Sequence, residues 1–500
     1  MTRVTRGALS GTLATATLLA GCAGWAPAPS SGPAVALAAA WQAPLPHGGV
    51  TTELARWWTQ FDDPVLTDLQ QAAQQASPSL STARARIERA RATLTSVEAS
   101  GLPRLDAVGN ASGSRQLPGA PVTRFASLAL QASWETDILG VFGLGASGNE
   151  DAAQARLEAA QAGWHDARVS VAAEVAGNYT ALRACEALLA QSQLDVGSRS
   201  ETARLTEQSA QAGFTAPADA ALVRAGVAQT RSQMLVTQTQ CETLVKGLVE
   251  VTDLPEADLR QRLAPRRARL PTAAALAVTT LPAALLAQRP DLAEAARNVL
   301  AAAGDQAQSA ADERPQVSLS GSLAGVTISG GGGRSQGATW SVGPLVVSFP
   351  LFDGGARAAA TQAARASYDN AVAQYQALAR RAVREVETAL VTLDITAQRE
   401  VDALDAARGF EASLVATQAR QRGGLASVLD LEIARRNALQ AQSALIELQR
   451  ERTAAWIALY RALGGGWDPA TMAVTAAPTA TPTPAPAPAP RTLTRAPAQP

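Results

Sequence analysis

The feature that most constrains this chain of 500 residues is that its sequence is written twice. Matching positions recur at a nearly constant offset: Pro78 with Pro290 and Pro103 with Pro315 lie 212 residues apart, and Glu174 with Glu385, Gly213 with Gly424 and Asp219 with Asp430 lie 211 apart. Chance does not produce so many anchors at one offset. We therefore expect a duplicated protomer whose repeat is roughly 200 residues long, which an ordinary two-domain enzyme does not show.

Both copies predict the same order of elements: a helix, a pair of short alternating segments and a long helical hairpin. In the first copy the helix begins at Pro64 and is expected to run without a break to a Gly-Leu-Pro stop at 101–103. Sixty residues of helix span about 90 Å, a length typical of a coiled-coil wall or tunnel. The expected boundaries are 56–277 for the first repeat, with strands in 103–134 and a hairpin over 150–250, and 278–467 for the second, with strands in 315–350 and a hairpin over 356–463.

The alternating segments resemble lipid-facing strands of a membrane barrel, which run about ten residues each. The link "SGGGGRSQG" is expected to separate the second pair as a long turn, and aromatic residues stand near the segment ends, as in a membrane girdle: Phe125, Trp134, Trp340 and Phe349. Four strands cannot close a barrel, and open edges are not tolerated in hydrocarbon, so several copies must combine. Two hairpins on the surface of a soluble protein are the alternative.

The two ends of the chain predict segments outside the fold. Residues 1–21 have the basic start and short apolar stretch of a secretory signal, and "LAGC" places Cys22 where bacterial lipoproteins are acylated. Residues 22–55 then form a flexible tether, and the absence of Asp at Ala23 favours the outer membrane by resemblance to such lipoproteins. Residues 468–500 are rich in Pro, Ala and Thr and predict a disordered tail.

Composition argues against several classes of function. Lys plus Arg and Asp plus Glu number 43 each, so no nucleic-acid partner is indicated. With two histidines and three widely separated cysteines there is little material for a metal cluster or a histidine-based catalytic site. We expect no enzyme activity, no metal and no cofactor.

One motif points the other way. "VFGLGASGNE" places Gly143, Gly145 and Gly148 at the spacing of a dinucleotide-binding loop. That fold needs a strand after a helix of ordinary length, whereas here the following helix runs some sixty residues. The matching place in the second copy, "LFDGGARAAA", lacks the pattern. The glycines are better explained as the junction between a strand and a tunnel helix, so nucleotide binding is rejected.

The first hairpin predicts a disulfide. Its turn is centred on Gly213, and Cys185 and Cys241 each lie 28 residues from that turn. In an antiparallel helix pair, equal distances from the turn mean equal height, so the two cysteines should face each other. Alanines around Cys185 permit the close approach that a disulfide requires, and a secreted chain meets an oxidising compartment.

Taken together, these motifs resemble the outer-membrane factors of the TolC type, in the lipoprotein branch called OprM-like or NodT. The resemblance covers about 41–467 and is carried by Cys22, "RWWTQFDDPVLTDL", "LLAQRPDLAEAARN", "VVSFPLFDGG", "GLASVLDLEIARR" and "LYRALGGGW" in their order within the duplication. It implies a mainly α fold with a membrane β-barrel part: a homotrimer in which each protomer gives four strands to a twelve-stranded barrel above long coiled-coil tunnel helices.

The resemblance also implies a function. The chain would be the exit duct of a tripartite efflux or secretion pump, lipid-anchored in the outer membrane with its tunnel in the periplasm. Its partners would be two further copies, outer-membrane lipid, a periplasmic adaptor protein and an inner-membrane pump, of the RND type. The alternative from another class is a structural coiled-coil envelope lipoprotein without pore activity. The strand pairs favour the duct, because a brace needs no lipid-facing strands.

Two sets of residues are implied at the periplasmic mouth. The hairpin tips would contact the adaptor: Gly213, Phe214, Gly423, Gly424 and Leu425. A gate would lie just above the second tip, where the family carries an aspartate followed by an arginine three residues later. This chain has Ile433 in the aspartate position, so a substitute ring is expected from Leu429, Asp430, Glu432, Arg435 and Arg436. The alternative is a solvated helix face with ordinary ion pairs.

Overall fold

The structure is a computed structural model that describes residues 41–43, 58, 61–115, 118–119, 121–136, 148–272, 288–331 and 333–467. The expected signal segment, the lipidation site Cys22, most of the tether and the C-terminal tail lie outside the described residues, as do Gly143 and Gly145. None of the helices formed by the described residues is long and apolar enough to cross a membrane.

The first helical segment is two helices, α1 (Pro64–Ala76) and α2 (Pro78–Ser100), so the expectation of one unbroken helix was wrong. A residue before proline is pushed out of the helical region, and Ser77 accordingly has a ψ of 121°. Asp63 caps α1 by accepting a hydrogen bond from the backbone nitrogen of Val65 at 3.1 Å. The break lets α1 turn into the core while α2 continues towards the strands.

Two long helical hairpins dominate the molecule. The first joins α3 (Gly148–Gln211) to α4 (Pro217–Thr252) and is followed by the short helix α5 (Glu256–Leu263). The second repeat begins with α6 (Pro290–Ala311), and its hairpin joins α7 (Ala356–Arg422) to α8 (Val428–Ala462). Helices α3 and α7 have 64 and 67 residues, so each is roughly 100 Å long.

Four strands form one antiparallel sheet in the order of the chain: β1 (Arg104–Ser114), β2 (Thr123–Thr136), β3 (Gln316–Gly330) and β4 (Gly333–Ser348). The pairing of β2 with β3 joins the two repeats, and β1 and β4 are the edges. We call the end that leads into the helices the helical end, and the opposite end the turn end.

The long glycine-rich turn expected between β3 and β4 is absent. Strand β3 runs to Gly330 and β4 starts at Gly333. Glycine can end these strands because its backbone N–H and C=O groups form the same hydrogen bonds between strands as those of other residues. Trp340 therefore lies in the middle of its strand and not at an end, and Phe125 lies on the opposite side of the sheet from its neighbour Arg124. Of the aromatics expected in a girdle, Trp134 on β2 and Phe349 after β4 lie at the helical end.

The main core forms where α1, the middle of α3, α7 and the end of α8 pack together. Leu66, Leu69 and Leu390 are among its fully buried side chains. Tyr179 is buried with them and donates a hydrogen bond from Oη to Asp63 Oδ2 at 2.7 Å, so the cap of α1 is also held from α3. The rings of Trp58 and Tyr460 are 4.5 Å apart, which fastens the N-terminal part of the chain to α8.

The third glycine of the dinucleotide-like motif has a packing role. Gly148 begins α3 and lies against Gly304 of α6, so that a Cβ built on Gly148 would stand 2.6 Å from the carbonyl oxygen of Gly304. A Cβ built on Gly304 would likewise stand 2.5 Å from the carbonyl oxygen of Gly148. Only two glycines permit helices from the two repeats to approach this closely. This packing is established for Gly148; Gly143 and Gly145 lie outside the described residues.

Candidate duct wall, hairpin tips and gate

The register of the sheet gives it one apolar and one polar face. Side chains alternate along each strand, and the paired positions share a face. The apolar face carries Leu105, Leu128, Leu130, Trp134, Leu319, Leu323, Trp340, Val342, Leu345 and Val347. The polar face carries mainly Asp106, Asn110, Ser127, Gln131, Ser318, Ser320, Ser322 and Ser341. Hydroxyls of Ser322 and Ser341 meet at 2.9 Å on that face.

A bulge keeps the apolar face continuous. Between the pairs Leu319–Leu345 and Gly321–Val342, strand β4 has one residue more than β3. Without that extra residue Val347 and Trp340 would lie on opposite faces, because the side-chain period is two. Gly343, with φ at +99°, supplies the backbone conformation that such a bulge uses. One face of the sheet is thus suited to hydrocarbon and the other to water.

The two hairpin tips have the same backbone turn. Gly213 and Gly424 have φ of +80° and +74°, the left-handed conformation in which glycine ends a helix. Each is followed by an exposed apolar residue: Phe214 is 87% exposed and Leu425 is 75% exposed. Gly423 is the C-cap of α7. The five residues expected at the tips therefore lie at the ends of the hairpins, with two apolar side chains presented to the outside.

The residues expected to form a gate fall into two groups. Asp430 is already engaged: its carboxylate accepts hydrogen bonds from the backbone nitrogen of Ser427 at 2.9 Å and from Ser427 Oγ at 2.7 Å, which caps α8. These bonds lower the pKa of Asp430, the Ser427 hydroxyl contributing most. Leu429 and Arg436 are exposed, and no ion pair of Arg436 occurs within the part of the chain that the structure describes.

Glu432 and Arg435 belong to an ion cluster that joins the two hairpins. Arg435 is buried and contacts Glu432, Nη1 to Oε1, at 2.5 Å. Glu432 also pairs with Arg199 of α3, whose Nε is 2.9 Å from Oδ2 of Asp195. Burial lowers the pKa of Arg435, and the Glu432 carboxylate opposes that effect. We call these four residues the inter-hairpin cluster.

Asp195 and Arg199 were missed in the sequence. The signal was an acidic and a basic residue four apart on α3, which is also the pattern of an ordinary exposed helix pair. Their importance comes from α8, which covers them; Asp195 is 7% exposed. No spacing within α3 reveals a partner that lies more than 200 residues away.

The two cysteines of the first hairpin form a disulfide in the structure. Cys185 on α3 and Cys241 on α4 have Cα atoms 5.5 Å apart, closer than the usual 8–10 Å between helix axes. Ala184 beside Cys185 is buried, and its small side chain permits the approach. Oxidation of this pair in the mature protein stays a prediction.

A second charged cluster, also missed in the sequence, fixes the start of α6. Arg289 is buried and pairs with Asp291 at 2.7 Å and Glu385 at 3.0 Å, while its Nη1 donates to the carbonyl oxygen of Ala462. Burial and the neighbouring Asp291 raise the pKa of Asp166, which borders the same cavity of about 130 Å³. Acidic and basic side chains both line this cavity. The bonds of Arg289 connect the start of α6 to α7 and α8. Among the described residues no group of three His, Cys, Asp or Glu is arranged to hold a metal ion.

Comparison with known proteins gives these features a common context. The sequence profile described as "Outer membrane efflux protein" matches twice, over residues 69–252 and 281–465, which are the two copies of the repeat. The chain is 27% identical to Nodulation protein T of Rhizobium leguminosarum bv. trifolii, covering 86% of this chain and 93% of that protein. It is 29% identical to outer membrane protein OprJ of Pseudomonas aeruginosa, covering 87% and 91%.

A solved structure agrees with the sequence matches. The outer-membrane channel OprN superimposes with a TM-score of 0.77 at 29% identity, covering 89% of this chain and 99% of that one. The fold is that of an outer-membrane channel, mainly α-helical with a membrane β-barrel part to which this chain contributes one four-stranded sheet. The long helices continue the barrel as a tunnel in the periplasm. With most of its length matched in both copies, the chain belongs to the outer membrane efflux protein family.

Proposed function

We propose that this chain is the exit duct of a tripartite efflux pump and acts as a passive, gated pore for small molecules. The observation that carries the proposal is the sheet with one apolar and one polar face, continuous with helices of roughly 100 Å. A barrel made from three such sheets has a water-filled lumen and a lipid-facing exterior. No residue is assigned a catalytic role.

Single-channel conductance in a planar lipid bilayer tests this proposal. The trimer should give stable conductance steps, whereas a structural envelope lipoprotein would give none. Neighbouring residues of β3 offer a matched pair of variants. Leu323→Glu places a charge on the lipid face in each of three copies and should impair insertion, although a carboxylate there costs less than the about 2–4 kcal/mol of an arginine or lysine at the bilayer midplane. Ser322→Glu places it on the lumen face and should leave insertion intact and raise cation selectivity.

We place the gate at the inter-hairpin cluster. For the periplasmic mouth to widen, α8 has to move relative to α3, and this movement separates Glu432 and Arg435 from Arg199 and Asp195. The exposed residues Leu429, Ile433 and Arg436 would face the other protomers in the closed trimer, and Asp430 serves to cap α8. The gate thus lies at the expected place on α8, but ion pairs between α8 and α3 of the same chain hold it closed.

Glu432→Gln tests the gate. It removes one charge from the cluster and should raise conductance and antibiotic sensitivity through leak, with insertion unchanged. Glu447→Gln on the same helix is the control, because among the described residues Glu447 forms an ion pair with Arg450 alone, at the exposed surface and at 2.7 Å. Equal conductance of both variants would contradict a gate at this cluster.

We propose that the hairpin tips dock a periplasmic adaptor, which couples the duct to an RND-type inner-membrane pump. Phe214 and Leu425 are the exposed apolar side chains that support this. Phe214→Ala with Leu425→Ala should abolish cross-linking to the adaptor and efflux while conductance persists. Leu194→Ala is the control, since Leu194 is also exposed but lies on α3 away from the tip. Cross-linking that survives the double variant would contradict docking at the tips.

A further inference from the structure

The charged residues of the four strands are divided between the two faces in an unequal way. The strands contain five of them: Arg104, Asp106, Arg124, Glu135 and Arg334. By the register of the sheet, Arg104, Asp106 and Glu135 lie on the polar, lumen face, and Arg104 Nε is 2.8 Å from the Asp106 carboxylate. Arg124 and Arg334 alone lie on the lipid face.

These two arginines stand at one level of the sheet. Arg124 on β2 is paired with Ser329 on β3, and Ser329 is paired with Arg334 on β4, so one strand separates the two arginines. Neighbouring strands are about 4.8 Å apart, which puts the Cα atoms roughly 10 Å from each other. Both lie at the turn end, opposite the helices, and therefore on the outer side of the membrane.

Their height matches the edge of the hydrocarbon. Trp134 lies on the apolar face at the helical end, ten positions along β2 from Arg124. Ten residues rise about 34 Å along a strand, and a tilt of about 40° reduces this to about 26 Å, close to the 25 Å apolar band of such barrels. The arginines thus lie where the acyl chains end and the headgroups of the outer leaflet begin.

The surface between the two arginines is a shallow groove. It has a volume of about 670 Å³, and the small residues Ala111, Gly113 and Ala126 line it beside the arginines. Within the residues that the structure describes, no acidic side chain forms an ion pair with Arg124 or Arg334. At this level an arginine is tolerated because its long side chain carries the guanidinium group to the anionic headgroups, which can neutralise its charge.

We propose that Arg124 and Arg334 bind the phosphorylated headgroup of an outer-leaflet glycolipid of the lipid A class. A guanidinium binds phosphate through two parallel hydrogen bonds, and two of them at this separation suit a headgroup with two phosphates. The acyl chains of the same molecule would cover the apolar face below. Neither gating nor adaptor docking requires this site, which anchors the barrel to one leaflet.

Native mass spectrometry of the detergent-solubilised trimer with added bisphosphoryl lipid A tests the proposal. The wild type should retain the lipid, and the double variant R124Q/R334Q should retain about tenfold less. The variant R104Q is the matched control, because Arg104 is a strand arginine on the lumen face, and it should bind like the wild type. Monophosphoryl lipid A should bind more weakly than the bisphosphoryl form.

Two results would overturn the proposal. Equal retention of lipid A by the wild type and R124Q/R334Q would mean that the acyl chains alone hold the lipid. Displacement of the lipid by equimolar inorganic phosphate would mean that the arginines bind small anions without the glycolipid. Conductance of R124Q/R334Q in bilayers of phosphatidylcholine should equal that of the wild type, so this test is independent of the pore function.

Discussion

The two helical hairpins of this duct turn in the same way but are fastened differently. At the first tip the backbone nitrogen of Phe214 donates to the carbonyl oxygen of Ser209 at 2.9 Å. At the second tip the backbone nitrogen of Leu425 donates to the carbonyl oxygen of Arg420 at 2.8 Å. These bonds, each spanning five residues, satisfy the last carbonyls of α3 and α7. The same turn occurs in both copies because one glycine in the left-handed conformation is enough to specify it.

Above the tips the hairpins diverge. Cys185 and Cys241 join α3 to α4 covalently, and the positions 211 residues later are occupied by Thr396 and Arg452. There α7 and α8 are joined by ion pairs: Arg452 with Glu400, and Arg399 with Glu451 at 3.0 Å. Ion pairs that are exposed or only partly buried contribute little and exchange readily, whereas a disulfide does not. The comparison indicates a first hairpin that holds its shape and a second that can adjust.

The largest effect is expected where the two hairpins meet. Arg435→Met should destabilise the closed arrangement by about 3–5 kcal/mol, because it leaves the buried Asp195 and the half-buried Glu432 beside a single arginine. Hydrogen exchange should show faster opening of α8 around residues 430–440 than of α3. Arg450→Met, farther along α8 and exposed, is the control and should change exchange around residues 430–440 little. Similar exchange in both variants would show that the inter-hairpin cluster does not hold the hairpins together.

Removal of the disulfide should make the first hairpin resemble the second. The loop of 56 residues corresponds to about 4 kcal/mol in the loop-entropy treatment, an upper value for Cys241→Ser. Amides of α3 and α4 should then exchange at rates near those of α7 and α8. Arg452→Gln is the control and should lose only about 0.2–1 kcal/mol. Non-reducing mass spectrometry of the wild type must first find the two cysteines joined; two free thiols would end this account.

The reverse change should make the second hairpin resemble the first. Thr396→Cys combined with Arg452→Cys places cysteines at the positions equivalent to Cys185 and Cys241, and the loop has the same length. If the second hairpin keeps the helix spacing of the first, these cysteines should form a disulfide, detected by non-reducing mass spectrometry, and efflux should fall because α8 is tied to α7. Failure to oxidise would show that the helices of the second hairpin lie farther apart.

The smallest effect concerns the caps of the returning helices. Ser427 and Asp430 cap α8, whereas the equivalent Ala216 offers no side-chain bond to α4. The pKa of Asp430 is lowered by its bonds to Ser427, so its contribution is present above the ordinary aspartate value of 3.8 and is lost as pH falls through the lower folded value. Amides at the second tip should therefore exchange faster below pH 3.8, and those at the first should not. Ala216→Ser should add a cap worth about 0.5–1 kcal/mol. Because Asp219 occupies the position equivalent to Asp430, a bond between the introduced serine and Asp219 should give the first tip the same pH dependence.

The sequence predicted elements whose cause is local or repeated. The tips followed from glycine, and the strands followed from alternation that appears in both copies. The height of Cys185 and Cys241 followed from counting residues to Gly213. Where the expectation was wrong, a local signal had been undervalued: Pro78 ends one helix and starts another, and Gly330 and Gly333 belong to paired strands.

The charged clusters could not be predicted, for a physical reason. Arg289 pairs with Glu385 and donates to a carbonyl oxygen at the end of α8. Asp195 pairs with Arg435, which lies on another helix far away in the sequence. Each residue alone has the appearance of a solvated helix charge. Their burial depends on how four long helices pack side by side, which neither hydrophobic period nor capping chemistry specifies.

The open edges of the four-stranded sheet have a genetic consequence. In the part of the chain that the structure describes, strands β1 and β4 each have a neighbour on one side only, so we expect two other copies to complete the membrane part of a protomer. If a cell makes normal and strand-defective chains in equal amounts and they mix at random, roughly one trimer in eight contains normal chains alone. Alleles that damage the strands but still assemble should therefore be dominant, whereas alleles that prevent assembly should be recessive.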